Sequence, residues 1–378
     1  MKRIFFVAGE SSGDMHGAML VSALRALDPE VVCEGLGGAA MAGAGMDLRH
    51  DLAGEGIMGF VEVVRHFRPI RALFHETLAY LRETRPDALV LIDYPGFNMR
   101  LARAAAGLGI QVAYYISPQV WAWKRRRVHT LARHVNKMLV IFPFEKALYD
   151  AAGLDCTYVG HPMLDRLEAR APTHRFGREL VIGLLPGSRA QEVERLLGPM
   201  LEVARGIQAR YPIAHFVTPC ASEARAGQVR ALAGDFPLEV QVGGMHDVLE
   251  AAHFCLVTSG TATLETALFG VPMVILYRVN ALTYVLARLL VHVRHIGIVN
   301  ILAGREVVPE FIQSRATAHH ILPVALDLIG NTARRAQMKR DLEEVRGLLG
   351  GGGASHRAAQ AILSLAKGDP HGENPVSH

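Results

Sequence analysis

A turn of small polar residues at 259–261 separates an apolar run from a helical pattern. Ser259, Gly260 and Thr261 follow the apolar residues 254–257 and precede a segment with helical periodicity. Hydroxyls and backbone N–H groups in such a turn can face one anion, and the helix dipole favours it. Glu265, one turn later, can hold the two hydroxyls of a ribose. The pattern is typical of a nucleoside diphosphate site, although a plain helix cap uses the same residues.

A second strand–helix junction carries an arginine. Ser188 and Gln191 fit a capping box, which predicts a helix that begins after Ser188, while Gly187 precedes it in the turn. Capping does not explain Arg189, because its cation would lie at the positive end of a helix. A diphosphate is the natural counter-charge.

Two further junctions carry acids. Asp93 ends the continuous apolar strand 88–92, where a carboxylate can act as a general base or cap the next helix. Glu10 and Ser12 follow the first predicted strand, Arg3–Ala8. Because the acids there would repel an anion, this junction suits a sugar hydroxyl or a base better than a phosphate, and helix capping is the alternative.

Three segments combine apolar and basic residues. The segment 57–74 mixes bulky hydrophobic residues with Arg and His, as does 282–298. Such segments can lie at an anionic membrane surface or serve as ordinary core helices. Lys124–Arg127 follows both tryptophans of the chain and fits a lipid headgroup or nucleic-acid patch as well as a solvated helix face.

Alternating strands and helices must position these groups. The pattern in both halves predicts an α/β protein with two doubly wound, Rossmann-like domains that face a cleft. The boundaries predicted are 1–168, 169–349, a helical segment 350–366 after the glycine run 350–353, and a disordered tail 367–378. That glycine run would permit exchange of the last helix between protomers, and hence a homodimer.

Composition narrows the class of protein. The 378 residues carry a net charge of only +4, and 34 Arg against 6 Lys suit phosphate contacts or reflect a GC-rich genome. Four scattered cysteines indicate free thiols in a reducing compartment. We expect no metal site, no cofactor and no membrane-spanning helix, and therefore a cytoplasmic protein.

Together these segments resemble one family, lipid-A-disaccharide synthase, an inverting glycosyltransferase of the B-type (GT-B) fold from Gram-negative bacteria. The resemblance runs in order through most of the chain, and departs from the family's usual pattern at Gln119 and at Ile298-Val299. The segments that carry it are 7–14, 37–46, 92–98, 117–123, 142–145, 159–162, 185–189, 259–265, 300–304, 309–310 and 353–359.

The resemblance implies a reaction and a role for each site residue. UDP-2,3-diacylglucosamine and 2,3-diacylglucosamine 1-phosphate would yield a β-1,6 disaccharide and UDP at the inner membrane, with peripheral attachment. Asp93 would be the base, with Glu10 and Ser12 on the acceptor side. The UDP-sugar would contact Gly187, Ser188, Arg189, Ser259, Gly260, Thr261, Glu265 and Asn300. An acyl groove is expected from Ile57, Met58, Val61, Val64, Phe67 and Leu73.

Three other functions compete with this one. Another UDP-sugar enzyme of the same fold, such as an epimerase or a different glycosyltransferase, would share the nucleotide site. A nucleotide-sugar or lipid-binding protein without turnover would have no use for Asp93. A nucleic-acid partner is not expected, because it would rest on Lys124–Arg127 alone.

Overall fold

The computed structural model describes residues 1–54, 67–120, 127–168, 180–280, 284 and 294–366. The chain forms two units, Met1–Ala169 with Leu349–His378 (unit 1) and Arg170–Leu348 (unit 2). Both are α/β units with a parallel sheet, as expected for two Rossmann-like domains. The acyl-groove candidates Ile57, Met58, Val61 and Val64, the side chain of Phe67, most of 282–298, Lys124–Arg126 and the tail 367–378 lie outside the described residues.

Unit 1 contains a seven-stranded parallel sheet in the order β3-β2-β1-β4-β5-β6-β7. Its core lies on both faces of β4, whose five apolar residues are fully buried. The strands are β1 (Arg3–Ala8), β2 (Val32–Gly37), β3 (Asp47–Asp51), β4 (Ala88–Ile92), β5 (Gln111–Tyr115), β6 (Lys137–Val140) and β7 (Cys156–Tyr158).

Helices connect these strands and cover the sheet. They are α1 (Ser11–Leu27), α2 (Ala39–Gly43), α3 (Phe67–Thr84), α4 (Pro95–Ala106), α5 (Arg127–Ala132), α6 (Pro143–Asp150) and α7 (Pro162–Glu168). Leu73 on α3 packs into the core and is only 9% exposed. The helix turns Leu73 toward the sheet, and its expected place in an acyl groove stays a prediction.

The last helix of the chain, α15 (Ala354–Leu365), packs against α1 and α7 of unit 1. Its N-terminus is capped from α7, because the Asp165 carboxylate accepts hydrogen bonds from the N–H groups of Gly353, Ala354 and Ser355 at 2.7, 3.0 and 2.8 Å. The Arg357 guanidinium also donates to the carbonyl of Val159 at 2.9 Å. These bonds fix α15 to the rest of unit 1.

Unit 2 contains a six-stranded parallel sheet in the order β10-β9-β8-β11-β12-β13. Its strands are β8 (Leu180–Leu185), β9 (Ala214–Cys220), β10 (Leu238–Val242), β11 (Phe254–Thr258), β12 (Met273–Tyr277) and β13 (Glu310–Ile312). The described helices are α8 (Ala190–Arg210), α9 (Glu223–Ala233), α10 (Met245–Ala251), α11 (Thr261–Leu268), α12 (Ile298–Ala303), α13 (Ala318–Gly330) and α14 (Thr332–Leu348).

The strand order of each unit creates one topological switch point. In unit 1 the direction of strand addition reverses between β1 and β4, where Ala8 pairs with Ile92. In unit 2 it reverses between β8 and β11, where Leu185 pairs with Val257. Ligands of open α/β sheets bind outside the carboxyl ends of the strands at such points. The fold therefore marks one edge of each sheet as a candidate site.

Among the described residues, no helix is both long and apolar enough to cross a membrane. The same part of the chain holds no group of three His, Cys, Asp or Glu side chains arranged to bind a metal ion. All four cysteines are buried and free.

Candidate active site

Asp93 lies at the switch point of unit 1, on a left-handed backbone. It follows β4 with φ of 45°, and Tyr94, the N-cap of α4, has φ of 46°. Two consecutive non-glycine residues in this region are strained. The Asp93 carbonyl accepts a hydrogen bond from the Tyr114 hydroxyl at 2.6 Å and one from the Asn98 amide at 2.8 Å. Neighbouring side chains therefore hold the turn in place.

Glu10 occupies the other side of the same switch point. It is the N-cap of α1, and both Glu10 and Ser12 are half-buried. The Tyr94 ring lies where a side chain at position 9 would be, so Gly9 is required for the two turns to meet. Asp14 serves a different purpose, because its carboxylate accepts N–H bonds from Gly38, Ala40 and Met41 at 2.9–3.0 Å. Of the two acids after β1, only Glu10 faces Asp93.

Burial raises the pKa of Asp93 from 3.8 to about 7. The negative charge of Glu10 is the second cause and that of Glu145 a smaller one, while a hydrogen bond from the Tyr94 backbone opposes the rise. A carboxyl group with this pKa can accept a proton and exist in both forms near neutral pH. Perturbed carboxyl groups of this kind are common at catalytic sites.

Glu145 is a site residue that the sequence did not single out. Glu145 is fully buried at the start of α6. Its carboxylate accepts a hydrogen bond from the Ser117 hydroxyl at 2.6 Å and another from the Phe142 N–H at 3.2 Å. Ser117 follows β5, so this pair joins the ends of two strands. Its place in the motif 142–145 was visible in the sequence, but its proximity to Asp93 depends on the order of the strands.

Arg189 lies at the switch point of unit 2. It is the N-cap of α8, and Glu192 accepts its N–H at 3.2 Å and its guanidinium at 2.7 Å. The predicted capping pair of Ser188 and Gln191 was therefore wrong by one residue, because the Glu192 carboxylate competes better for a helix N–H. Gly187 has φ of 112°, and a side chain there would clash with Glu192. The Arg189 side chain is 53% exposed.

The turn after β11 lies beside Arg189 in the sheet order. Gly260 is the N-cap of α11, so the first N–H groups of this helix point out of the carboxyl end of the sheet. The Ser259 hydroxyl donates to the carbonyl of Ile296 at 3.2 Å. The Ser259 hydroxyl therefore contacts its own chain, while Gly260 and Thr261 lie at the N-terminus of α11.

Glu265 pairs with a histidine that the sequence analysis missed. His246 at the start of α10 approaches the Glu265 carboxylate with its Nε2 at 3.4 Å, and both side chains are largely buried. The His246 ring packs on Phe269, with ring centroids 5.3 Å apart. This contact orients Glu265 on the first turns of α11.

Asn300 is fully buried, and its amide makes four hydrogen bonds within unit 2. The side-chain oxygen accepts the N–H groups of Val307 and Val308 at 2.8 and 3.0 Å. The side-chain nitrogen donates to the Val308 carbonyl and to Glu310 at 2.8 and 2.7 Å. Because an asparagine amide offers two donors and two acceptors, none remains for a ligand. The expected nucleotide contact of Asn300 is thus replaced here by contacts within the protein.

Glu310, on β13, binds the segment before α12. Its carboxylate accepts the N–H groups of Ile296 and Gly297 at 3.0 and 2.9 Å in addition to the Asn300 amide. Ser259 binds the carbonyl of the same Ile296. The network ties the turn after β11 to the N-terminus of α12.

Comparison with known proteins identifies the family. A family model described as Lipid-A-disaccharide synthetase matches residues 4–364 of the chain. The chain belongs to the lipid-A-disaccharide synthase family. Lipid-A-disaccharide synthase of Syntrophus aciditrophicus is 43% identical over 376 residues, which cover 97% of this chain and 98% of that protein. The enzyme of Trichlorobacter lovleyi is 42% identical over 375 residues, with the same coverage.

Solved structures show the same fold at low identity. A Staphylococcus aureus MnaA–UDP complex has a TM-score of 0.69 with 13% identity, and covers 97% of each chain. A glycosyltransferase of kitacinnamycin has a TM-score of 0.63 with 18% identity over 96% of this chain and 98% of that one. A UDP-N-acetylglucosamine 2-epimerase from Neisseria meningitidis has a TM-score of 0.65 with 12% identity, and the match covers 96% of this chain and 100% of that one. The fold is therefore common to this family, to epimerases and to other glycosyltransferases, and family membership makes this chain a glycosyltransferase.

Proposed function

We propose that this lipid-A-disaccharide synthase transfers 2,3-diacylglucosamine from UDP to the 6-hydroxyl of 2,3-diacylglucosamine 1-phosphate, with Asp93 as the general base. The acceptor oxygen attacks the anomeric carbon and Asp93 takes its proton. The bond from that carbon to the diphosphate breaks, and UDP leaves with the electron pair. Attack opposite the leaving group inverts the anomeric centre and gives the β-1,6 linkage.

The geometry and protonation of Asp93 carry this proposal. Its carboxyl group stands at the switch point of unit 1, and its pKa of about 7 makes it a stronger base than an ordinary aspartate. A base of this strength contributes about 10²–10⁴ to the rate of proton-transfer catalysis. Glu10 and Ser12 lie on the adjacent turn, where a carboxylate and a hydroxyl can bind hydroxyl groups of the acceptor sugar.

Unit 2 supplies the donor site in this proposal. Arg189 and the N–H groups of Gly260 and Thr261 would stabilise the charge that develops on the leaving diphosphate. Glu265, oriented by His246, would bind the ribose hydroxyls. Gly187 and Ser188 shape the turn that carries Arg189, and Ser259 and Asn300 support the site through their contacts within unit 2.

The acyl chains of both substrates are the reason that the proposal includes association of the enzyme with a membrane. Each buried CH₂ contributes about 0.8 kcal/mol to membrane binding, so diacylated substrates reside at a bilayer surface. We propose peripheral attachment to the inner membrane, with the acyl groove formed from the candidates in 57–67. A homodimer through the glycine run at 350–353 also stays a prediction.

The test compares Asp93→Asn with Asp87→Asn. Asp87 lies at the opposite end of the same strand, where it binds the Arg3 N–H at 2.7 Å, and serves as a matched control. Full-length protein is incubated with both substrates in detergent, and UDP release and disaccharide are followed by mass spectrometry. We expect Asp93→Asn to lose about 10²–10⁴ in rate, with UDP affinity unchanged by calorimetry.

Other outcomes separate the competing functions. Normal turnover by Asp93→Asn would dismiss Asp93 as the base. Absence of disaccharide from the unmodified protein, with UDP still bound, would favour a different acceptor or a protein without turnover.

A further inference from the structure

Asn98 is a buried side chain that binds the turn carrying Asp93. It lies on the first turn of α4 and is 0% exposed. Its amide nitrogen faces three carbonyl oxygens, those of Val7, Ile92 and Asp93, at 3.4, 3.2 and 2.8 Å. Because all three partners are acceptors, the nitrogen and not the oxygen of the amide must face them. One side chain thus joins the carboxyl ends of β1 and β4.

The backbone between these carbonyls has an unfavourable conformation. Left-handed φ angles at Asp93 and Tyr94 persist only where the surroundings impose them. The Asp93 N–H donates to the Tyr115 carbonyl at 3.2 Å, and the Tyr114 hydroxyl donates to the Asp93 carbonyl at 2.6 Å. Asn98 is the third support, and it binds both residues that lead into the turn. Without it, the carbonyls of Ile92 and Asp93 lose a shared donor.

We propose that Asn98 is a positioning residue for the Asp93 base. By binding the carbonyls of Ile92 and Asp93, it holds the Asp93 backbone left-handed and so fixes the direction of the carboxyl group. The inference rests on the proposed role of Asp93. The role proposed for Asn98 in unit 1 is distinct from that of Asn300, whose hydrogen bonds lie within unit 2.

The environment of Asp93 supplies a readout that a purely structural role would not change. Charged and titratable groups face it from three elements: Glu10 at the start of α1, Glu145 at the start of α6, and Tyr114 on β5, which in turn lies near Arg127. Burial and the two glutamates hold the pKa of Asp93 at about 7. A turn that relaxes toward water moves this pKa down. In a plot of rate against pH, the rise in rate that accompanies loss of the Asp93 proton (the acid limb) then shifts to lower pH.

The experiment compares Asn98→Ala with Asn136→Ala. Asn136 accepts the Val112 N–H with its side chain at 2.9 Å and joins β5 to β6 at the other edge of the same sheet. For both variants, kcat and KM are measured from pH 5 to 9, together with UDP affinity and melting temperature. We expect Asn98→Ala to lose about 10–100-fold in kcat, to shift the acid limb downward by half a pH unit or more, and to keep its UDP affinity. Asn136→Ala should change only the melting temperature.

A second variant covers the case in which Asn98→Ala does not fold. Tyr114→Phe removes the other side-chain donor to the Asp93 carbonyl and should shift the acid limb in the same direction by a smaller amount. An unchanged kcat and acid limb in whichever of these variants folds, with Asp93→Asn inactive, would overturn the positioning role alone. Full activity of Asp93→Asn would overturn the base and this inference together.

Discussion

The two switch points differ in how their polar groups are satisfied. At the end of β4, unit 1 places a half-buried acid with a raised pKa on a strained backbone, beside two further glutamates. At the ends of β8 and β11, unit 2 satisfies Ser259, Asn300 and Glu310 with bonds inside the protein. The first edge holds a strained, desolvated carboxyl group, while the second has a bonded frame around helix N-termini and one arginine.

The difference follows from the two tasks that we propose. A general base needs a raised pKa, and exposure of its carboxyl group to water would lower that pKa. Its site therefore keeps the group desolvated and close to other negative charges. A diphosphate site needs fixed donors, and these are best supplied by backbone groups whose surroundings are fully bonded. Changes in unit 1 should therefore act on rate and its pH dependence, and changes in unit 2 on stability and nucleotide affinity.

The largest stability effect is expected from Asn300→Ala. Removing the amide leaves the buried N–H groups of Val307 and Val308 without an acceptor, at about 1–3 kcal/mol for each. Chemical denaturation should show a loss of about 2–6 kcal/mol. Asn280→Ala, at an exposed residue after β12, is the control and should lose less than about 1 kcal/mol. Unchanged stability with lost UDP affinity would instead make Asn300 a ligand contact.

An effect of opposite sign, which grows with pH up to about 7, is expected for Asp93→Asn. The folded pKa of Asp93 is raised from 3.8, so the stability of the unmodified protein that is present below pH 3.8 is lost progressively until the pH has passed about 7. The stability of the variant relative to the unmodified protein should therefore increase from pH 5 to pH 8, on the order of 2 kcal/mol. Chemical denaturation of both proteins at pH 5 and pH 8 measures this difference in unfolding free energy. An equal difference at pH 5 and pH 8 would contradict the raised pKa.

The third effect, similar in size to the second, concerns nucleotide affinity. A charge-assisted hydrogen bond contributes about 1.5–3 kcal/mol, so Arg189→Ala should weaken UDP binding by roughly 10–100-fold. Arg210→Ala, at the exposed far end of the same helix, is the control. Calorimetric titration with UDP measures both. Wild-type affinity in Arg189→Ala would remove the arginine from the proposed diphosphate site.

Much of the fold was predictable because apolar periodicity is a local property. The strands Arg3–Ala8 and Ala88–Ile92 match the predicted bounds. No strand was predicted at β3, β7 or β13, because β3 alternates charged residues at a sheet edge and β7 and β13 have only three residues each. Edge and short strands carry little of the hydrophobic signal on which such predictions depend.

The positions of the candidate residues were predictable at strand ends, and not where contacts are long-range. The sequence alone predicts Asp93 and Arg189 at the ends of strands, because acids and arginines after apolar runs are visible in it. Glu145 and His246 became candidates only once the strand order placed them near Asp93 and Glu265. Asn300 was assigned to the ligand because nothing local shows that Glu310 and Val307 saturate its amide.

The anchoring of α15 by Asp165 has a consequence for how the protein is made. Unit 1 begins the chain, yet its last helix is synthesised only after every residue of unit 2. During translation the first unit to emerge is therefore the last to be completed. Until α15 arrives, the faces of α1 and α7 that it covers stay open to solvent or to chaperones. A truncation at the C-terminus would thus damage the N-terminal half of the enzyme.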